Sequence, residues 1–212
     1  MNPSALPAPD YGKHLAFYFD FISPYGYFAA QQIEALAARH GRSVRWHAFH
    51  MRAVMKDVLG VQQAMGDVPL KGDYVRTDVR RMARQLGVPY APAPTAGFSS
   101  VCVGRMFHLL REHDAAVAAR FAHAVFRSHH AQSASPNTWD RCAAIALEAG
   151  IDAGWLAAPQ LEERGRTLYR DATDAAVAQG VWGTPTFIVD GEMFWGCDRM
   201  AQLDYWLQRG GW

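Results

Sequence analysis

The residues placed to do chemistry begin with Ser23. The run Phe17-Tyr18-Phe19-Asp20-Phe21-Ile22 is rich in apolar and aromatic side chains, has the length of a strand, and stops at Ser23-Pro24-Tyr25-Gly26. A helical pattern starts at once, with Gly26, Ala29, Ala30, Ile33, Leu36 and Ala37 on one face. Serine is a strong N-cap, and proline suits the first helical turn. The Ser23 hydroxyl is therefore expected at the positive end of a helix, just past a buried strand. Free amide donors and the macrodipole stabilise an anion there. Locally, the same pair is also an ordinary cap, so the choice between a structural and a chemical serine rests on distant segments.

A serine nucleophile needs a base and a group to orient that base. No histidine–carboxylate pair stands out at the right place, although His47 and His50 remain open as partners. The histidines, His129-His130 and the alternating His47 and His50 among them, match no recognised ligand spacing, so no metal site is expected. Cys102, Cys142 and Cys197 form no C-x-x-C pair. Their number and spacing argue against a disulfide scaffold and against a protein that passes disulfides by exchange, which needs two thiols.

These residues must be positioned by a chain of 212 residues, half of them hydrophobic, enough for one large domain or a core with an inserted second lobe. A net charge of +1, from 21 basic and 20 acidic side chains without long blocks, gives no sign of a nucleic-acid or anionic-membrane surface. No run reaches the length of a membrane span. Residues 1–12 hold Pro3, Pro7 and Pro9 and lack a signal-peptide core, which reads as a flexible tail on a soluble cytoplasmic protein.

The pattern predicts a strand over 14–22, a helix over 24–40 closed by Gly41, and a second strand over 44–49 parallel to the first. From 51 to 179 the periodicity is helical, best over 74–86, 101–112, 115–129, 137–149 and 162–179, with breaks at Pro89, Pro92 and Pro94. Strands return at Thr186-Phe187-Ile188-Val189 and Glu192-Met193-Phe194-Trp195, joined by Asp190-Gly191, the residues a two-residue hairpin turn requires. A final helix is expected over 198–207, with Asp198 near its N-cap. Pro185 enters its strand as an edge or a special bond, and the isomer of Thr184-Pro185 stays open.

The order β-α-β, helical insertion, Pro-led β-β-α resembles a thioredoxin-like α/β fold, DsbA-like, with Ser23-Pro24-Tyr25-Gly26 where a redox C-x-x-C would stand. In detail the chain resembles the 2-hydroxychromene-2-carboxylate isomerase and kappa-class glutathione transferase family. Three stretches carry this: Phe19-Asp20-Phe21-Ile22-Ser23-Pro24-Tyr25, Gly180-Val181-Trp182-Gly183-Thr184-Pro185-Thr186-Phe187, and Asp190-Gly191-Glu192-Met193-Phe194-Trp195-Gly196-Cys197-Asp198-Arg199-Met200. The division implied is a thioredoxin-like domain of residues 13–50 and 181–212, interrupted by a helical domain over 51–180.

The resemblance implies that Ser23 is the catalytic serine and that glutathione is the bound thiol. The backbone of Thr184, before Pro185, would pair with its cysteinyl part as an added strand. The turn Trp195, Gly196, Cys197 and Asp198 would receive its glutamyl carboxylate. Lys56 matches the family's substrate lysine if one extra residue is allowed before Gly60. Ser99-Ser100 stands where relatives commonly carry Asn-Ser, which makes Ser99 a substrate contact and the loop 89–97 longer than usual. A small aromatic carboxylate is the implied substrate, and a homodimer the implied assembly. In this scheme Ser23 donates a hydrogen bond to a glutathione thiolate. The thiolate adds to a conjugated double bond and is expelled after rotation, with Lys56 anchoring the substrate carboxylate or the developing enolate. Conjugation or peroxide reduction, and a non-catalytic thiol- or peptide-binding module, are the alternatives.

Overall fold

Leu15, Phe17 and Phe19 are fully enclosed in β1 (His14–Phe19), and Ala16 and Tyr18 are buried with them. A strand covered on both faces needs apolar side chains at successive positions, which is why this run reads as continuous rather than alternating. The computed structural model describes residues 12–92, 97–152, 154–157 and 160–212. Apart from Gly12, the tail expected over 1–12 lies outside them, as does Pro94.

β1 ends at Phe19 rather than at residue 22. The Asp20 carboxylate accepts the Ile22 N–H (3.2 Å) and the Asp20 carbonyl accepts the Ser23 N–H (3.0 Å), so the donors that would extend the ladder are diverted into a turn. The single helix expected over 24–40 is two: α1 (Pro24–Ala30) and α2 (Ile33–Arg39). The break follows from Gln32. Its side-chain amide donates to the Phe28 carbonyl (3.0 Å), the acceptor its own backbone N–H would use, and that N–H turns to Ala29 instead (3.0 Å).

β2 (Ser43–Ala48) pairs in parallel with β1, from His14 opposite Ser43 to Phe19 opposite Ala48. β3 (Thr186–Val189) runs antiparallel on the other side of β1, and β4 (Glu192–Trp195) antiparallel to β3, giving the order β2-β1-β3-β4. The hairpin turns at Asp190 (φ 51°) and Gly191 (φ 84°), both in the left-handed region as the Asp-Gly pair predicts.

Between β2 and β3 the described residues hold no strand. They run α3 (Met51–Ala53), a π-helical turn Val54–Val58, α4 (Lys71–Leu86), α5 (Val101–His113), α6 (Ala115–Ala131), α7 (Trp139–Glu148) and α8 (Gln160–Ala178). Asp114 caps α6 through the N–H groups of Ala116 and Val117, and Thr138 caps α7 through Arg141. α5 and α8 approach closely because Gly104 lies under the Tyr169 ring and Gly165 against Arg105 and Leu109; a Cβ at Gly104 would enter that ring.

The helical segment and the sheet share one core. The Phe19 ring meets Phe107 of α5 (5.5 Å) and Phe126 of α6 (5.4 Å), while Phe17 stacks on Phe187 of β3 (5.6 Å). Each such ring, fully buried, contributes about 1.5–3 kcal/mol. On the opposite face Tyr18 and Ile188 pack with Val54, Ala176 and Val181. The last helix, α9 (Met200–Arg209), is preceded by a 3-10 turn, Cys197–Arg199. Asp198 lies inside that turn, next to the Arg199 N-cap of α9 as expected, although its side chain makes no capping bond. Gly196 (φ 111°) reverses the chain and its carbonyl takes the Arg199 N–H (3.1 Å), so winding begins before Asp198.

Candidate functional site

The carboxyl ends of the parallel strands β1 and β2 lie at one edge of the sheet, where α/β folds bind ligands. Ser23 stands there as the N-cap of α1, extended (φ −86°, ψ 118°) and 8% exposed, with Pro24 at the first helical position. Its Oγ accepts the Gly26 N–H (3.1 Å). A hydroxyl has one proton to donate and two lone pairs. The cap uses a lone pair and leaves the proton free for an anion. Among the described residues no imidazole or carboxylate is hydrogen-bonded to Ser23 Oγ, so nothing here would take its proton.

His47 and His50 do not fill that role. The His47 ring stacks on Tyr18 (4.7 Å), its Nδ1 faces Arg111 (3.4 Å), and burial together with that guanidinium lowers it to about 3. His50 donates its backbone N–H to Thr173 Oγ1 (3.0 Å), and its ring lies against Tyr169 (5.8 Å). Among the described residues no group of three His, Cys, Asp or Glu side chains could hold a metal ion.

The Thr184-Pro185 peptide is cis. Thr184 Oγ1 accepts the Asp20 N–H (3.1 Å), which fixes this loop beside the Ser23 turn. Gly26 lies between them: a Cβ there would be 3.4 Å from both Ser23 Cβ and Thr184 Oγ1. Among the described residues the backbone N–H and carbonyl of Thr184 have no partner, since β1 has already ended where a neighbouring strand would pair. The Pro185 carbonyl accepts the Gly196 N–H (2.9 Å), tying the turn at 195–198 to the same loop. The Trp195 indole covers Gly183 and meets Trp182 at 4.1 Å, with both tryptophans 42% exposed. Cys197 is buried, and burial with the Asp198 charge pushes its thiol up to about 12. It is no nucleophile in this state.

The structure thus brings Ser23, Thr184, Pro185 and Gly196 together, with Trp195 and Cys197 beside them. Lys56 lies exposed in the π-helical turn Val54–Val58, without a hydrogen-bond or ion-pair partner among the described residues. Ser99 is exposed, donating its N–H to Asn137 Oδ1 (3.0 Å), and its neighbour Ser100 is buried. Neither Lys56 nor Ser99 bonds to the Ser23 or Thr184 groups. A surface cavity of 460 Å³ on the α4 side is lined by Arg80, Ala83, Arg84 and residues 87–90, and contains none of these residues.

The residue that reasoning from sequence missed is Asp20. It is 1% exposed and bonded through both carboxylate oxygens, to Ile22 N–H (3.2 Å) and Met51 N–H (2.8 Å). Burial raises its carboxyl above the usual range, opposed by the Ser100 hydroxyl, the His50 charge and the two amides. Tyr169 is buried beside it, with no hydrogen-bond partner for its hydroxyl among the described residues and its phenol raised by burial and by the Asp20 charge. An acid inside an apolar strand run was the available signal.

Comparison with known proteins supplies the remaining findings. The family model described as DSBA-like thioredoxin domain matches residues 14–208. A 2-hydroxychromene-2-carboxylate isomerase of Pseudomonas putida is 28% identical over 192 residues, 89% of this chain and 91% of that protein. Glutathione S-transferase kappa 1 of Caenorhabditis elegans is 35% identical over 79 residues, 37% of this chain and 34% of its own. A solved structure of 2-hydroxychromene-2-carboxylate isomerase superposes with a TM-score of 0.77 at 27% identity, over 92% of this chain and 95% of that one.

Proposed function

The chain belongs to the DSBA-like thioredoxin domain family, and we propose that within it the protein is a glutathione-dependent cis–trans isomerase of a 2-hydroxychromene-2-carboxylate-like aromatic substrate. The observation that carries this reading is the hydrogen bonding of Ser23: its acceptor side is used by Gly26 N–H, and among the described residues its proton is uncommitted and no base is bonded to it. Such a serine donates to a thiolate; it does not attack. The names of the relatives supply the reaction class.

In this reading the N–H and carbonyl of Thr184, without a partner among the described residues, receive the cysteinyl part of glutathione as an added strand, and the Trp195, Gly196, Cys197 and Asp198 turn receives its glutamyl end. The Ser23 hydroxyl and the positive end of α1 lower the pKa of the thiol, holding it as thiolate. The thiolate adds to the conjugated double bond of the ring-opened substrate, which leaves a single bond at that position and places the electron pair on the conjugated carbonyl as an enolate. After rotation the enolate collapses and expels the same thiolate, so no glutathione is consumed. Lys56 meets the substrate carboxylate or the enolate, and Ser99 contributes a hydrogen bond. The reading carries with it a homodimer and a cytoplasmic location.

Purified protein mixed with a hydroxychromene carboxylate, with and without glutathione, tests it. A glutathione-dependent change in substrate absorbance, with the glutathione concentration unchanged at the end, is the expected result. Consumption of glutathione by an electrophile without isomerisation would establish instead the transferase chemistry named for the kappa-class relative.

A further inference from the structure

We propose that Asp20 is a positioning residue that registers the two halves of the site, its backbone holding the thiol side and its carboxylate holding the second-substrate side. The inference rests on the functional reading above for what each side binds; the bonding pattern does not. Asp20 joins the Ser23 turn, the Thr184 loop and the start of α3. Its backbone N–H donates to Thr184 Oγ1 (3.1 Å) and its carbonyl accepts the Ser23 N–H (3.0 Å). Its carboxylate accepts the Met51 N–H (2.8 Å) at the start of α3 and faces the Ser100 hydroxyl next to Ser99. From Met51 the chain leads directly through α3 into the turn that carries Lys56.

These attachments differ in kind. The main-chain bonds to Ser23 and Thr184 survive any change of side chain at Asp20. The carboxylate bonds do not, and the first amide of α3 depends on one, because it has no acceptor within the helix and among the described residues no other side chain caps it. A carboxylate offers acceptors at both oxygens, whereas an amide offers one acceptor and two protons. Asp20→Asn therefore turns a donor toward Met51 N–H, Ile22 N–H or the Ser100 side. The displacement falls on α3 and the turn 54–58, where Lys56 lies, while Ser23 keeps its cap and Thr184 its hydrogen bond.

The test uses two variants and an activity-independent readout. For Asp20→Asn, glutathione affinity and the pH midpoint of the bound thiolate's ultraviolet absorbance stay at the wild-type values. kcat/KM for the hydroxychromene carboxylate falls by up to about a hundredfold, as expected for misplacing a substrate-positioning group by about an ångström. Met51→Pro removes the N–H that the carboxylate takes, at a first helical position where proline is accommodated after the non-helical His50 (φ −87°, ψ 87°). It lowers the same parameter, and the double variant is no worse than the weaker of the two single variants, because both remove one bond. Amide hydrogen exchange over 54–59 accelerates by about tenfold or more in Asp20→Asn, while Gly26 and Tyr27 keep their protection.

Unchanged exchange over 54–59 would overturn the proposal, as would a parallel loss of glutathione affinity and second-substrate turnover. If the wild-type protein binds glutathione but isomerises no hydroxychromene, selective loosening of 54–59 in Asp20→Asn still upholds the positioning role, and it is the reaction assignment that fails.

Discussion

His130 of α6 donates Nε2–H to the Phe21 carbonyl (2.9 Å), two residues before Ser23, and His108 of α5 donates Nε2–H to the Ala48 carbonyl (2.8 Å) at the end of β2. Both rings are buried, and burial lowers them from 6.5 to about 3 and about 4 respectively. His130 Nδ1 has no hydrogen-bond partner among the described residues, so a second proton there would be charged and unsolvated. The sign follows from linkage. Between the unfolded value of 6.5 and the folded one, the unfolded chain binds a proton that the folded chain refuses, so stability is lost as pH falls through this window. Lowering pH from about 7 to about 5.5, through the unfolded value, costs about 1 kcal/mol for each such histidine.

His130→Gln keeps an N–H donor and removes the titration. Its pH-dependent loss of stability should be smaller than that of the wild-type protein by about 1 kcal/mol over this interval. Urea unfolding of both proteins at the two pH values, compared as extrapolated free energies, measures the difference, and carboxylate contributions common to both cancel. Identical losses in the two proteins would refute the assignment of a neutral, unpaired imidazole behind the Ser23 turn.

Ser23→Ala should raise the pKa of bound glutathione, seen by ultraviolet titration, and abolish most turnover. Stability should fall by about 0.5–2 kcal/mol from the lost cap, and an unchanged thiol pKa would contradict the donor role. Gly104→Ala places a methyl group in the Tyr169 ring and should cost about 1–3 kcal/mol by overpacking, read as a drop in thermal midpoint. In a thiol-reagent assay near neutral pH, Cys197 should react only on unfolding; rapid modification of the folded chain would contradict its burial and its raised value of about 12.

Much of the fold was legible because its signals are local. Asp190-Gly191 demands positive φ at both positions whatever surrounds it, and the turn is there. Ser23-Pro24 is a cap in any context, and the Ser23 cap is observed. Boundaries that depend on side-chain competition were not legible. The break at Gln31-Gln32 comes from an amide taking the Phe28 carbonyl, and the early end of β1 from Asp20 taking the Ile22 N–H. Periodicity registers which face a residue occupies, not which donor wins an acceptor.

The sequence by itself determined that a serine caps a helix at the end of a buried strand, that no C-x-x-C pair is present, and that Thr184-Pro185 and the turn at 195–198 accompany it. Only the tertiary structure decided what Ser23 lacks and what Asp20 holds. Whether a hydroxyl has a base depends on groups brought from elsewhere in the chain, and here none among the described residues is bonded to it. Asp20 meets Met51 across 31 positions and Thr184 across 164. A buried carboxylate must have every acceptor answered, and the chain can supply those donors only once it has folded back upon itself.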